Sequence, residues 1–117
     1  MYTSGTTSLA MLELMVQDSP LRARYVVIPA VIPDGMDIER LNAGQLPAEW
    51  RNTMAREALQ EIGSDWVASR RTAVLAMPSA VVPGEHNYLI NPRHDAFWRI
   101  GIGSAQVLLT DRRLLQY

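Results

Sequence analysis

The chain has no cysteine among its 117 residues. Disulfide frameworks, zinc knuckles, iron–sulfur sites and thiol nucleophiles are therefore all excluded, while the redox compartment stays open. Lysine is missing as well: the eleven strongly basic side chains are all arginine, which rules out a Schiff-base lysine and a P-loop lysine. No apolar run approaches the roughly 18 to 20 residues needed to cross a bilayer, and the opening eight residues carry neither a cationic start nor an apolar signal region. The expected address is the cytoplasm, with no membrane partner. Neither charge sign is in excess, since twelve carboxylates leave a net charge of −1, and the arginines are spread from Arg22 to Arg113. No basic footprint for direct nucleic-acid binding results. Repeats, low-complexity tracts and linkers are also absent. What remains is 48% apolar and 20% charged residues, the balance of an ordinary globule at a length suited to one domain.

Thr7 and Ser8 stand before Leu9–Val16, a run of strong helix formers, and are placed to cap it. Leu9, Leu12 and Val16 mark one face while Met11, Leu14 and Met15 cover the others. A helix apolar all round predicts burial, with Glu13 carried into or beside the interior. Tyr25–Ile28 and Ala30–Ile32 read as strand, with Pro29 an edge or bulge between them and Pro33-Asp34-Gly35 a turn. Leu46 to Ile62 has helical spacing. Met54, Ala55, Ala58, Leu59 and Ile62 form its stripe, and Gly63 closes it as the C′ residue. Asp65-Trp66-Val67 then begins a short second turn or an irregular connection. Ala73–Met77, stopped by Pro78, reads as a central strand. Pro83-Gly84-Glu85 turns the chain, His86–Ile90 is a further strand, and Asn91-Pro92 reads as a cap followed by proline at the first helical position. Ile100–Ile102 and Val107–Leu109 supply one or two more strands. Strands and helices mix without regular βαβ alternation, so the expected class is α+β, a compact mixed sheet with flanking helices.

Several side chains carry possible chemistry. Glu13 lies inside Leu-Glu-Leu, where a carboxylate costs several kcal/mol to desolvate unless a cation, hydrogen bonds or a substrate compensates. Its distance from Thr7 and Ser8 excludes a capping box. A solvated strip of the helix, a structural ion pair and a functional acid all remain open. Ser79 follows an apolar strand, where a hydroxyl can bind a phosphate or a carbonyl or serve as a turn residue. No Gly-x-Ser-x-Gly elbow surrounds it. His86, Asn87, Asn91 and His94 form the densest polar group, but their spacing is not that of a zinc helix, and no metal is expected. The asparagines are expected to satisfy backbone groups in tight turns, with one of them available to a ligand. Gly101-Ile102-Gly103-Ser104 lacks the third glycine of a dinucleotide fingerprint. Trp50, Trp66 and Trp98 read as packing aromatics, and Arg70-Arg71 and Arg112-Arg113 as solvated or partner-facing pairs.

Taken as a string, Met77-Pro-Ser-Ala-Val-Val-Pro-Gly-Glu-His-Asn-Tyr-Leu-Ile-Asn-Pro-Arg-His94 is far more specific than its parts. It resembles the C-terminal signature of the RES domain family, roughly V-P-S-x-x-x-P-x-E-x-N-Y-L-x-N-P-x-H-P, with Asp95 in place of the final proline. Tyr2 to Glu13 resembles the family's Y-x-S-x-S-x-A-x-A-x-L-E, Gly63-Ser-Asp-Trp66 its G-D-x-W, and Thr110-Asp-Arg-Arg-Leu114 its F-D-x-R-L. The resemblance spans essentially the whole chain, read as one RES-like domain over residues 1–117.

That resemblance implies an ADP-ribosyltransferase-like fold and the toxin of a bacterial toxin–antitoxin pair. Such a toxin cleaves the nicotinamide–ribose bond of NAD by phosphorolysis or hydrolysis. NAD is then a substrate, with inorganic phosphate as a possible co-substrate, and no true cofactor is needed. Two alternatives are an ADP-ribosyltransferase acting on a protein and an inactive RES domain that only binds an antitoxin or itself. The implied partner is a Xre-like antitoxin, in a homodimer or a hetero-oligomer. The family's glutamate, tyrosine and serine carry over to Glu13, Tyr2 and Ser79. Glu13 is expected to stabilise positive charge at the ribose, and Tyr2 to stack on or hydrogen-bond the nicotinamide side. Ser79 is expected to hydrogen-bond NAD or fix the glutamate, and Asn87 to be a further substrate ligand. The family's arginine, in a G-G-R-W-N stretch about ten residues before the tyrosine, has no counterpart here. The domain is thus expected to be incomplete at its N-terminus, with Arg22 and Arg24 the arginines placed to approach that position in space.

Overall fold

Strand β1 (Tyr2–Ser4) runs straight into helix α1 (Thr7–Gln17), and everything that matters for the site hangs on that junction. The computed structural model describes residues 1–17, 24–52 and 56–109. After α1 come β2 (Arg24–Val27), β3 (Ala30–Val31), β4 (Ile38–Arg40), a 3-10 turn at Ala43–Gln45 and helix α2 (Arg56–Ser69). Then follow β5 (Val74–Pro78), β6 (His86–Ile90), a 3-10 turn at Phe97–Arg99, β7 (Gly101–Ile102) and β8 (Gln106–Leu109). The main sheet has the order β1-β6-β5-β4, antiparallel except for the parallel β4–β5 pair. Separate two-stranded ribbons pair β2 with β8 and β3 with β7. The expected α+β class is borne out.

Both faces of the central strand are covered, so β5 is apolar without alternation. Val74, Ile38 and Ile90 are cross-strand neighbours on one face and enter a core with Met36, Ala73 and Ile100, flanked by Tyr88 and Phe97. Leu75 and Leu89 point the other way, toward the helices, and Gly63 of α2 lies against Leu89. Strand β1 is held to β6 by the reciprocal backbone bonds of Met1 and Ile90, at 2.7 and 2.8 Å, and by Gly5 N to His86 O at 3.1 Å. Since residues 1 and 5 face β6, the antiparallel pattern turns the backbone groups of Tyr2 and Ser4 to the open edge.

Several expectations need correction. The residue capping α1 is Thr6, whose Oγ1 accepts from Leu9 N at 3.0 Å, rather than Thr7 or Ser8. The inward side of α1 begins at Leu9 alone; Leu12 and Val16 are exposed, so the all-round apolar helix is not buried all round. Helix α2 starts later than its spacing suggests and runs through Gly63 to Ser69, taking in Asp65-Trp66-Val67. The glycine sits in mid-helix facing Leu89, with room for a methyl group between them. Termination falls instead on Arg70, in the left-handed region at φ 55°. That conformation costs a non-glycine residue about 1 kcal/mol, and the hydrogen bond its carbonyl accepts from His94 Nε2 at 3.0 Å helps to fix it. No helix begins at Asn91-Pro92: the Asn91 side chain accepts from Arg93 N at 3.0 Å, forming a turn. Met54 and Ala55 lie outside the described residues, as do Arg112, Arg113 and the rest of the Thr110–Leu114 motif.

Candidate active site

Leu9 anchors α1, being 1% exposed, and Glu13 follows one turn later on the same side. This places its carboxylate over the sheet face that carries Asn87. Ser79 emerges directly after β5, and its Oγ donates to Glu13 Oε1 at 3.0 Å. The Asn87 Nδ2 donates to the same oxygen at 2.9 Å. Among the described residues, two neutral donors therefore compensate the desolvation that the sequence leaves unexplained. Among the described residues, no hydrogen bond occupies Glu13 Oε2.

The holders are themselves held. Ser79 is 1% exposed, and its oxygen accepts from Val81 N at 3.0 Å and Val82 N at 3.1 Å while its proton goes to Glu13. One donor and two acceptor positions exhaust a hydroxyl. Asn87, also buried, accepts at Oδ1 from the hydroxyl of Ser4 at 3.1 Å. Tyr2, two residues before Ser4 and on the same face of β1, completes the group. Its phenol is pushed up to about 12, first by burial and then by the Glu13 carboxylate, with hydrogen bonding to the Asn87 side chain acting in the opposite direction.

A cavity of about 750 Å³ opens beside this group, within the range of small-molecule sites. Tyr2, Ser4, Glu13, Tyr25 and Tyr88 are among the residues on its wall. Ser79 and Asn87 are not; they stand behind the carboxylate rather than in the open space. Strand β1 and the start of α1 form one side of the cavity, and β2, residues 28–30 and Leu108 of β8 line it as well. An acid fixed through one oxygen, with a neutral phenol beside it, can stabilise developing positive charge in a bound molecule.

The other candidates are dispersed. His94 is structural: its Nδ1 accepts from Ala96 N at 3.0 Å and its Nε2 faces the Arg70 carbonyl. His86 lies on the opposite sheet face, with Arg40 beside a smaller hollow of about 300 Å³. Among the described residues, no three His, Asp or Glu side chains gather as a metal site would require. Asn91 serves its turn. Trp66 is buried and its ring N–H donates to Thr72 at 3.0 Å. Trp50 packs beneath Arg51, 5.0 Å away, but Trp98 is 80% exposed and is not a packing aromatic in this chain. Arg71 is not merely solvated either. It makes a two-point ion pair with Glu39 at 2.6 and 2.8 Å, which holds the Glu39 carboxyl below its ordinary value. Arg22 lies outside the described residues, and Arg24 is exposed on β2 and does not line the cavity. Ser4 is the site residue that inspection of single residues misses. The available signal is its place two residues after Tyr2, on one face of a strand.

The RES domain family matches residues 1–111 of the chain. Over 98 residues the chain is 37% identical to Toxin Res of Yersinia enterocolitica, covering 82% of this chain and 64% of that protein. Toxin Res of Photorhabdus laumondii is 33% identical over 93 residues, covering 78% and 59% respectively. The Prs ADP-ribosylating toxin of Sphingobium sp. (strain YBL2) is 32% identical over 119 residues, covering 98% of this chain and 74% of that one. The chain belongs to the RES domain family, whose fold is ADP-ribosyltransferase-like. It spans about three-fifths of the length of the two Toxin Res proteins.

Proposed function

We propose that this chain is the toxin of a toxin–antitoxin pair, acting in the cytoplasm on NAD by breaking its nicotinamide–ribose bond. The observation that carries this reading is Glu13, pinned by Ser79 and Asn87 on the wall of a cavity of about 750 Å³ with Tyr2 alongside. As the C–N bond breaks, its electron pair returns to the pyridinium nitrogen and nicotinamide leaves neutral. Positive charge builds at the ribose C1′ and O4′, where the Glu13 carboxylate stabilises it or orients a ribose hydroxyl. Phosphate or water then forms the new bond at C1′, giving ADP-ribose 1-phosphate, or ADP-ribose and a proton. Tyr2, a neutral donor throughout the physiological range, faces the nicotinamide side. Ser79 and Asn87 hold the acid. The toxin names of the relatives support the toxin reading, and a Xre-like antitoxin is the proposed partner.

The test is nicotinamide release from NAD by the purified protein, followed chromatographically with and without phosphate. Glu13→Gln is expected to lower the rate by at least about 100-fold with the fold retained, the scale for removing one electrostatic stabiliser. A folded wild-type protein that leaves NAD intact refutes cleavage, and retained binding of a Xre-like antitoxin would then leave a binding role. A second reading, ADP-ribosyl transfer to a protein, is favoured by the Sphingobium relative, whose alignment covers 98% of this chain. Adenine-labelled NAD separates the two, because transfer carries the label onto a protein and cleavage leaves it in a small molecule.

A further inference from the structure

We propose that Ser4 is a positioning residue for Glu13, acting through the amide of Asn87; as a statement about catalysis it rests on the NAD reading above. The polarity of the chain Ser4–Asn87–Glu13 follows from hydrogen-bond capacity. An ionised carboxylate only accepts, so the Asn87 group facing Glu13, 2.9 Å away, must be the NH2. That leaves Oδ1 facing Ser4 at 3.1 Å, and the Ser4 hydroxyl must donate. Asn87 is 2% exposed, so water cannot readily replace that donor. Removing the hydroxyl leaves a buried carbonyl without its partner, and the amide can then regain one by rotating half a turn. Rotation would aim an oxygen at the Glu13 carboxylate and withdraw the N–H that holds its Oε1. Ser79, whose hydroxyl has no further bond to give, cannot take over this role. The Ser4 hydroxyl thus fixes the amide orientation, which keeps Oε1 occupied and the carboxylate on the cavity wall.

Ser4→Thr and Ser4→Val are the informative pair. They match in shape and suit a strand equally, and only threonine keeps the hydroxyl. In 15N-labelled protein the Asn87 side-chain NH2 signals are located by their loss in Asn87→Ser. Expected for Ser4→Val are displaced Asn87 signals and a drop of about tenfold in kcat for nicotinamide release with KM within about twofold, the pattern of a misplaced catalytic group. Ser4→Thr should restore the signals and most of kcat. Identical behaviour of the two variants overturns the proposal, as does a rise in KM at constant kcat, which would make Ser4 a substrate contact. If the wild-type protein releases no nicotinamide, the NAD reading fails and the amide signals alone decide whether Ser4 orients Asn87. Unmoved signals in Ser4→Val would overturn that too.

Discussion

Replacing Ser79 by alanine removes one oxygen and, with it, three hydrogen bonds. Two are from the neutral amides of Val81 and Val82 at 3.0 and 3.1 Å, and the third runs to a carboxylate at 3.0 Å. A neutral bond contributes about 1 kcal/mol net and a charge-assisted one about 1.5 to 3 kcal/mol. Val81 and Val82 are only half-buried, so water recovers part of the amide loss, whereas Ser79 itself is buried and Glu13 keeps only the Asn87 donor among the described residues. The expected cost is about 3 kcal/mol of folding stability, at the upper end for deletion of one buried hydroxyl. With an unfolding entropy of roughly 2.1 cal/mol/K per residue, a chain of this length loses about 4 °C per kcal/mol, so Tm should fall by about 12 °C. Calorimetry, with urea midpoints alongside, measures both quantities. Exposed Ser104, in the loop between β7 and β8, is the control, and its alanine variant should stay within about 0.5 kcal/mol of the wild type. Combined with Glu13→Ala, the Ser79→Ala loss should fall short of additivity by about 1 kcal/mol, because both variants remove the same bond. A Tm drop under about 4 °C, or strict additivity, would show that Ser79 does not hold the acid.

Tyr2 makes stability pH-dependent at the alkaline end. Its folded-state pKa is raised from 10.0 to about 12, so the unfolded chain gives up its proton first. Stability should be unaffected by Tyr2 below pH 10, fall as pH rises from 10 to about 12, and level off beyond, and Tyr2→Phe should remove that slope in urea midpoints. In absorbance titration at tyrosinate wavelengths, the same variant should lose a late-titrating component; loss of an early one would refute the assignment. Gly63→Ala should stabilise the protein by about 0.5 to 1 kcal/mol, since alanine is the better helix residue. Its new methyl would meet Leu89 at an ordinary 3.7 Å. Destabilisation on chemical unfolding would mean that α2 sits closer to the sheet than that.

Strand β6 was legible to the residue, because His86–Ile90 is bounded by a glycine turn and a proline. So was the central place of β5, whose unbroken apolar run signals cover on both faces. What failed were boundaries decided by tertiary contact. Gly63 reads as a stop signal although α2 continues through it to Ser69, and Arg70 carries no local mark of the left-handed residue it becomes. Leu12 and Val16 look like core because hydropathy along a helix does not say which side meets the sheet. Glu13 stood out as an expensive carboxylate, and its motif context named it. Residue chemistry alone does not reveal the donors that compensate it, which are 66 and 74 residues away; the family resemblance offers fixing the glutamate as one role for Ser79, while Asn87 is expected as a substrate ligand.

Those separations bear on the order of events during folding. The acid is made early in the chain and its holders late, so the ring of bonds around Glu13 closes only after two long loops have been drawn shut. Pairing of β1 with β6 spans a longer separation still, 89 residues from Met1 to Ile90. Local helix formation at α1 can present the glutamate within microseconds, yet leaves it a solvated carboxylate among others. A nascent chain that has not reached β6 therefore lacks the set acid altogether.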